Sequence, residues 1–475
     1  MKLNHLIYTL MLGTALGTSS CSWLDLEPAT AVSPSILGQG EVEQLLTGTY
    51  RSLQNDPGRD TWVLFDMRGE NLINTYLSGS NDFVNNEIPS NNGTLLTMWR
   101  GYYKAIYNAN TTLSILSNLE PSEKNTHIEA QARFLRAYAY YCLATRWDGV
   151  PIIKDNTLEN VKRDKQSAVF NFIKEELSFC IDEGHLKPFG ETSGAPFTVS
   201  LEAAQALMAR LALTTGDMET AKNMAETLIA NPKFKLSENY DNIFTTTNNS
   251  EIIFSFRNNT SEGGQNLYAL FTTYNSPMKG SWFLCPSPES EKLFEDPADT
   301  RNNTCITTLE SVSETYIIMN KFRDFTPLIV SRIAEMYLIS AEAQGRNGLN
   351  RLNELRRSRG LNPYNNSDIA SEEDYQKKVA LERRKELYCE GFLFFDLIRT
   401  NKISEEVVSM NGKTNLYLPL PESEVQYNPN WKSHSTLTLL ATQDLPTFLY
   451  YMIDPLKSWC WGAILFYPFK NSRFS

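Results

Sequence analysis

The sequence predicts a mainly α-helical, all-α chain in which antiparallel helix pairs are interrupted by two large loop-rich insertions. Three observations carry this. Apolar and aromatic residues recur at three- and four-residue spacing, as in Phe134, Tyr138, Tyr141, Cys142 and Thr145. Ala-rich segments meet across a tight turn at Thr215-Gly216-Asp217. Strand-like runs are confined to short pieces such as "EIIFSF", Glu251 to Phe256. With 475 residues, 41% of them hydrophobic, the chain can bury one large core.

Taken in order, the chain opens with Lys2 and an apolar run, Leu6 to Leu16. That run is about half the roughly 20 residues needed to span a bilayer. Small residues, Gly17 to Ser20, then precede Cys21. Residues 1–20 read as a signal peptide of the lipoprotein type, with the Cys21 thiol as the lipidation point. Thr18 stands where such sites usually carry Leu. Residues 21–40 read as a tether. Helical period begins at Glu41, with Val42, Leu45, Leu46, Thr49 and Leu53 on one face. Residues 55–97 lose it; they are rich in Asn and carry Trp62, Phe65, Tyr76 and Phe83. Such long excursions in a compact domain are usually functional. Helices are expected at 98–118, 123–147 and 165–183, the second stopped by Asp148-Gly149 and Pro151. The pair at 201–229 has small Ala residues at its contact positions and resembles a tetratricopeptide unit. Residues 235–325 again lack helical period. Helices return at 328–346, 349–359 and 372–399, and the whole of 41–430 reads as one domain.

Composition narrows the chemistry. A net charge of −11 argues against nucleic acid, which requires a basic surface. The seven cysteines include no CxxC pair, so metal-ligand spacing is absent. Cys142 and Cys389 read as small core residues, and a Cys285–Cys305 bridge stays open. HExxH, GxSxG, Walker and GxGxxG motifs do not occur, and no cofactor is implied. Glu386 and Glu390 share a helix face, a spacing that would suit paired-carboxylate hydrolysis. Arg383, Arg384 and Lys385 stand within reach, however, so these charges read as locks between helices. The Arg356-Arg357-Ser358-Arg359 cluster reads as a solvated face. Trp99 and Tyr138 lie in helical stripes and read as core. Tyr76, Tyr268, Tyr274 and Trp282 lie instead in polar, Gly- and Asn-rich loops, where nothing evident demands burial. Aromatic faces pack against sugar C–H faces, so these four are the ligand-binding candidates. No residue pattern identifies a catalytic or metal site.

Several stretches together resemble the SusD/RagB family of outer-membrane nutrient-binding lipoproteins from Bacteroidetes. They are "CSWLDLEP", "EAQARFLRAYAYYCLATRWDGVPII", "ARLALTTGDMETAKNMAETLI", "SRIAEMYLISAEA" with "LNELRRSRGL", "LERRKELYCEGFLFFDLIRT" and "LPLPESEVQYNPN". The resemblance implies a helical, tetratricopeptide-like, non-enzymatic lipoprotein, lipid-anchored at the outer membrane and exposed on the surface. It would capture an oligosaccharide or peptide and close over a TonB-dependent, SusC-like transporter. Two other readings remain: a glycan-hydrolysing surface lipoprotein and a helical-repeat scaffold without a small ligand. Phe392-Leu393 replaces the basic residue that the family usually carries after the signature Gly391. Residues 431–475 continue beyond the family's usual end and are apolar and aromatic. They read as either an out-of-frame extension or a genuine element.

Overall fold

The computed structural model describes residues 38–434 apart from 58–59, 76–80, 247–248, 260–265, 275–278, 311–314 and 324–325. Cys21, the signal peptide, most of the tether, Tyr76 and the chain from 435 onward lie outside the described residues. Glu43–Thr436 form one compact unit.

The compact unit is mainly helical. The longer helices of the described residues are α1 (Gln39–Asn55), α2 (Asp60–Arg68), α3 (Gly93–Leu116), α4 (Glu123–Trp147), α5 (Gln166–Ile181), α6 (Leu201–Thr215) and α7 (Met218–Ile229). They continue with α8 (Ile333–Ala343), α9 (Leu349–Ser358), α10 (Glu372–Glu386) and α11 (Leu393–Arg399). Starts follow the capping rules. Side chains of Asn92, Ser122, Ser200, Asp217 and Ser371 accept from backbone N–H groups three residues on. Gly216, at φ 81°, makes the left-handed turn between α6 and α7 that the sequence predicts.

Each of α3 to α7 packs on the next, and α7 then packs on α8 across the whole second insertion. Ala206, Ala209, Ala212, Ala221 and Ala225 let the backbones approach, and Leu228, Ile333, Met336 and Ile339 fill the seam. The expected core residues Trp99, Tyr138, Cys142 and Cys389 are all buried.

Three helix expectations are corrected. Leu328–Arg332 is not the start of a helix but a strand, paired antiparallel with Ile252–Phe256. A short buried apolar run does not reveal its period, and the deciding partner lies far away in sequence. The single helix expected over 372–399 breaks after Glu386. Cys389 and Gly391 take positive φ (59° and 84°), and α11 restarts at Leu393. A Cβ on Gly391 would stand 3.0 Å from the Thr61 carbonyl oxygen. Residues 55–97 are not simply irregular, since they hold α2. That helix is buried all round, with Val63, Leu64, Phe65, Asp66 and Met67 each at most 4% exposed, so no apolar stripe marks it.

Candidate functional site

Both insertions converge on one loop face. Leu72–Asn74 pairs antiparallel with Leu284–Pro286, which joins the first insertion to the second. The Thr75 amide donates to the Phe283 carbonyl at 3.2 Å, and the Thr75 hydroxyl donates to the Trp282 carbonyl. Tyr76 follows Thr75 directly in the chain.

The second insertion folds back on itself here. Ser281 N–H donates to Ala269 O (2.7 Å), Trp282 N–H to Thr272 O (2.8 Å) and Gly280 N–H to Thr273 O (3.1 Å). Only glycine fits position 280, because a Cβ there would stand 2.3 Å from the Thr272 oxygen. Trp282 is a non-glycine residue at φ 45°. Such a conformation persists only where its surroundings over-determine it. They do so here: its indole Nε1 donates to Ile317 O at 3.2 Å, and its ring meets Tyr316 edge-on at 4.8 Å. Tyr316 and Ile317 belong to the hairpin of Thr307–Glu310 with Thr315–Ile318.

The four aromatic candidates meet different fates. Tyr274 is 71% exposed, with the Lys279 ammonium 4.8 Å from its ring centre. Trp282 is half-buried and rigidly held. Tyr268 is 6% exposed, in a helical turn beside buried Leu270 and Phe271, so the expectation of an unburied ring fails there. Tyr76 lies outside the described residues. Sequence reading missed Tyr316 and Lys279. The apolar, β-branched run "YII" at 316–318 was the available signal for the first.

The acidic pair is locked in the interior. Glu386 accepts from Arg332 Nη1 (2.6 Å), Arg359 Nη2 (2.8 Å) and Arg301 Nη1 (3.0 Å). Glu390 accepts from Lys321 Nζ (2.6 Å) and from Arg332 Nη2 (2.8 Å). Glu251 ties Arg332 (3.1 Å) to Arg359 (2.6 Å), and Arg301 also holds Asp299 (2.8 Å) and Glu382 (2.7 Å). Burial pushes the Glu386 carboxyl up, but Arg359, Arg332 and Arg301 outweigh it and hold it well below the usual carboxylate range. Glu390 is lowered too, against its burial, by Arg332 and Lys321. Neither can serve as the protonated acid that glycoside hydrolysis needs.

The reading as locks therefore stands, but with other partners. Arg383 pairs with Asp396 (2.7 Å), Arg384 with Asn71 (2.9 Å), and Lys385 with Asp299 (2.5 Å). Arg359 is fully buried rather than solvated, while Arg357 remains exposed. Cys285 and Cys305 are free thiols. The first sits in the Leu72–Asn74 ladder; the second ends a helical turn near Tyr240 and Lys321.

One cavity of about 40 Å³, lined by Arg146, Tyr138 and Phe392 among others, has room for a few waters but not for a sugar ring. An open groove on α5 includes Phe179, but Arg133 (4.3 Å) and His185 (4.2 Å) already occupy that ring. Among the described residues, no group of His, Cys, Asp and Glu could hold a metal ion, and no helix is long and apolar enough to cross a membrane.

Residues 22–213 match a family profile described as "Starch-binding associating with outer membrane", and residues 298–435 match that of the SusD family. The chain is similar to SusD-like protein P38 of Formosa agariphila, 23% identical over 87% of this chain and 95% of that protein. Among solved structures, it resembles a laminarin-binding SusD-like protein with TM-score 0.70 and 24% identity, covering 82% of this chain and 97% of that one. Surface glycan-binding protein A of Bacteroides uniformis matches with TM-score 0.72 and 21% identity, covering 83% and 98%.

Proposed function

We propose that this chain, which belongs to the SusD/RagB family, is a non-enzymatic glycan-binding protein whose ligand rests on the Tyr274–Trp282 loop face. The observation that carries the reading is Trp282 itself. Its strained backbone is held by Thr75 and Thr272, one from each insertion, and its ring by the Ile317 carbonyl and Tyr316. A preorganised aromatic loses little freedom when a sugar packs on it. Exposed Tyr274 extends the same loop. Tyr76, next to Thr75 in the chain, belongs to the proposal as well. The names of the relatives support a glycan over a peptide, because similar proteins are described as binding laminarin and surface glycans. The absence of catalysis is supported by the ion-paired state of Glu386 and Glu390. Asp66, whose carboxyl burial raises to about 6, is fully enclosed and out of a polymer's reach.

Delivery to a TonB-dependent, SusC-like transporter and anchoring to the outer membrane through lipidated Cys21 complete the proposal. Two or three acyl chains at about 0.8 kcal/mol per buried methylene would hold the domain at a membrane. Cys21→Ala should move the protein from the membrane fraction to the soluble one; unchanged fractionation sinks the anchor. A glycan array followed by titration calorimetry tests the ligand face. Trp282→Ala should weaken binding of the array hit while the thermal melt stays put. Wild-type affinity in that variant, or turnover of the glycan by purified protein, overturns the reading.

A further inference from the structure

We infer that the loop face selects glycans bearing an anionic substituent, a carboxylate or sulfate, through Lys279. This rests on the ligand face proposed above and deepens it. From Asn266 to Pro288 the chain holds no Asp or Glu, and Lys279 is its one charged residue, in a protein of net charge −11. The side chain is exposed, and its ammonium lies 4.8 Å from the centre of the Tyr274 ring. Among the described residues, no carboxylate or carbonyl pairs with it; the contact with Tyr274 is the interaction it makes. The ammonium therefore keeps donors for a ligand, directly beside the exposed Tyr274 ring. The carboxylate of Glu310, on the hairpin that carries Tyr316, is already engaged by the Thr315 hydroxyl at 2.8 Å.

The net negative charge of the body does not by itself cancel this site. Exposed charges more than about 8 Å away are screened at physiological salt, whereas a contact pair persists. A neutral glycan would leave the Lys279 ammonium in water and gain nothing from it. An acidic one adds a charge-assisted contact to the aromatic packing.

The test is equilibrium binding by the full chain of three hexasaccharides: an oligogalacturonate, a sulfated galactan and a neutral β-glucan. At least one acidic probe should bind about two- to five-fold tighter than the neutral one, the range of a single exposed ion pair. Its identity tells carboxylate from sulfate. The advantage should shrink as salt is raised, vanish in Lys279→Met and survive in Lys279→Arg. Equal binding of neutral and acidic probes, failure of both acidic probes to bind, or an acidic preference that persists in Lys279→Met overturns the inference. Trp282→Ala separates the two readings. If it weakens every probe while Lys279→Met changes none, the aromatic face stands and its charge selection falls. If Trp282→Ala changes nothing, the face itself is wrong.

Discussion

The Glu386 knot and the Trp282 loop face draw on residue types that usually belong elsewhere. The knot puts Arg301, Arg332, Arg359, Glu251 and Glu386, all charged, at 0–1% side-chain exposure. The loop face leaves Tyr274, a large ring, 71% exposed. In the knot every charge is answered by geometry, with each guanidinium shared between two or more carboxylates. On the loop face, backbone hydrogen bonds position the aromatic side chains and leave part of their surface to water. The difference teaches that the knot is organised for the protein and the loop face for something outside it. Charge type alone would have assigned the roles the other way round.

That contrast can be broken most directly at Glu386. Glu386→Ala would leave Arg301, Arg332 and Arg359 without their shared acceptor. Removing one partner of a buried pair costs about 3–5 kcal/mol, so denaturant unfolding should show a loss of that size. A loss below about 1 kcal/mol would mean that water or neighbouring groups replace the carboxylate and that the knot is no lock.

The carboxy-terminal edge sharpens the boundary of the packed body. Trp431 donates its Nε1–H to Val161 O at 2.9 Å and meets Trp99 edge-on at 6.0 Å. Truncation after Asn430 deletes that ring and should cost about 3 kcal/mol, at the low end for losing a buried Trp. Truncation after Ser435 keeps it, and we propose that this cut leaves the melt unchanged. Equal melts for the two truncations would refute the assignment of Trp431 to the core.

Asp66 tests the interior without removing a direct partner of Glu386. Desolvation raises its carboxyl to about 6, only partly opposed by hydrogen bonds from Asn71 and Cys389. The native state therefore binds this proton more tightly than the unfolded chain, whose value is about 3.9. Stability from this group is present below about pH 4 and is lost as pH rises through about 6. A shift of that size corresponds to about 3 kcal/mol as an upper bound. Asp66→Asn should flatten that slope, so wild-type stability minus variant stability falls between pH 4 and 6. A difference independent of pH would show that folding leaves the pKa of this carboxyl unshifted.

The smallest expected effects lie on the loop face and are effects on binding. Trp282→Ala should weaken a glycan by about 1–3 kcal/mol, by analogy with aromatic stacking on nucleobases, and Tyr274→Ala by less. Neither should move the unfolding midpoint as Glu386→Ala does. A Trp282→Ala protein that unfolds early would place this ring with the knot, as structure rather than site.

Much of the scaffold was legible in the sequence because local chemistry specified it. Ser122 and Trp147 bracket α4 through a cap and an Asp-Gly stop. Gly216 and Asp217 mark the turn between α6 and α7, and the alanines at 212, 221 and 225 announce close helix contact, whereas Ala206 and Ala209 join the seam only in the folded chain. The loop location of Tyr274 and Trp282 was legible for the same reason: they lie where helical period lapses. Tertiary structure alone decided that Leu328–Arg332 extends as a strand, since its partner lies some 70 residues upstream. It alone turned α2 inward on every side, erasing the stripe by which a helix is recognised, and buried Tyr268 while leaving Tyr274 in water. It also gave Glu386 its three arginines from 301, 332 and 359 instead of the basic residues beside it. Capping, turns and periodicity are set by neighbours within a few bonds and so are written in the chain. Burial and ion pairing depend on which distant segments exclude water from one another, and that is fixed only when the chain closes.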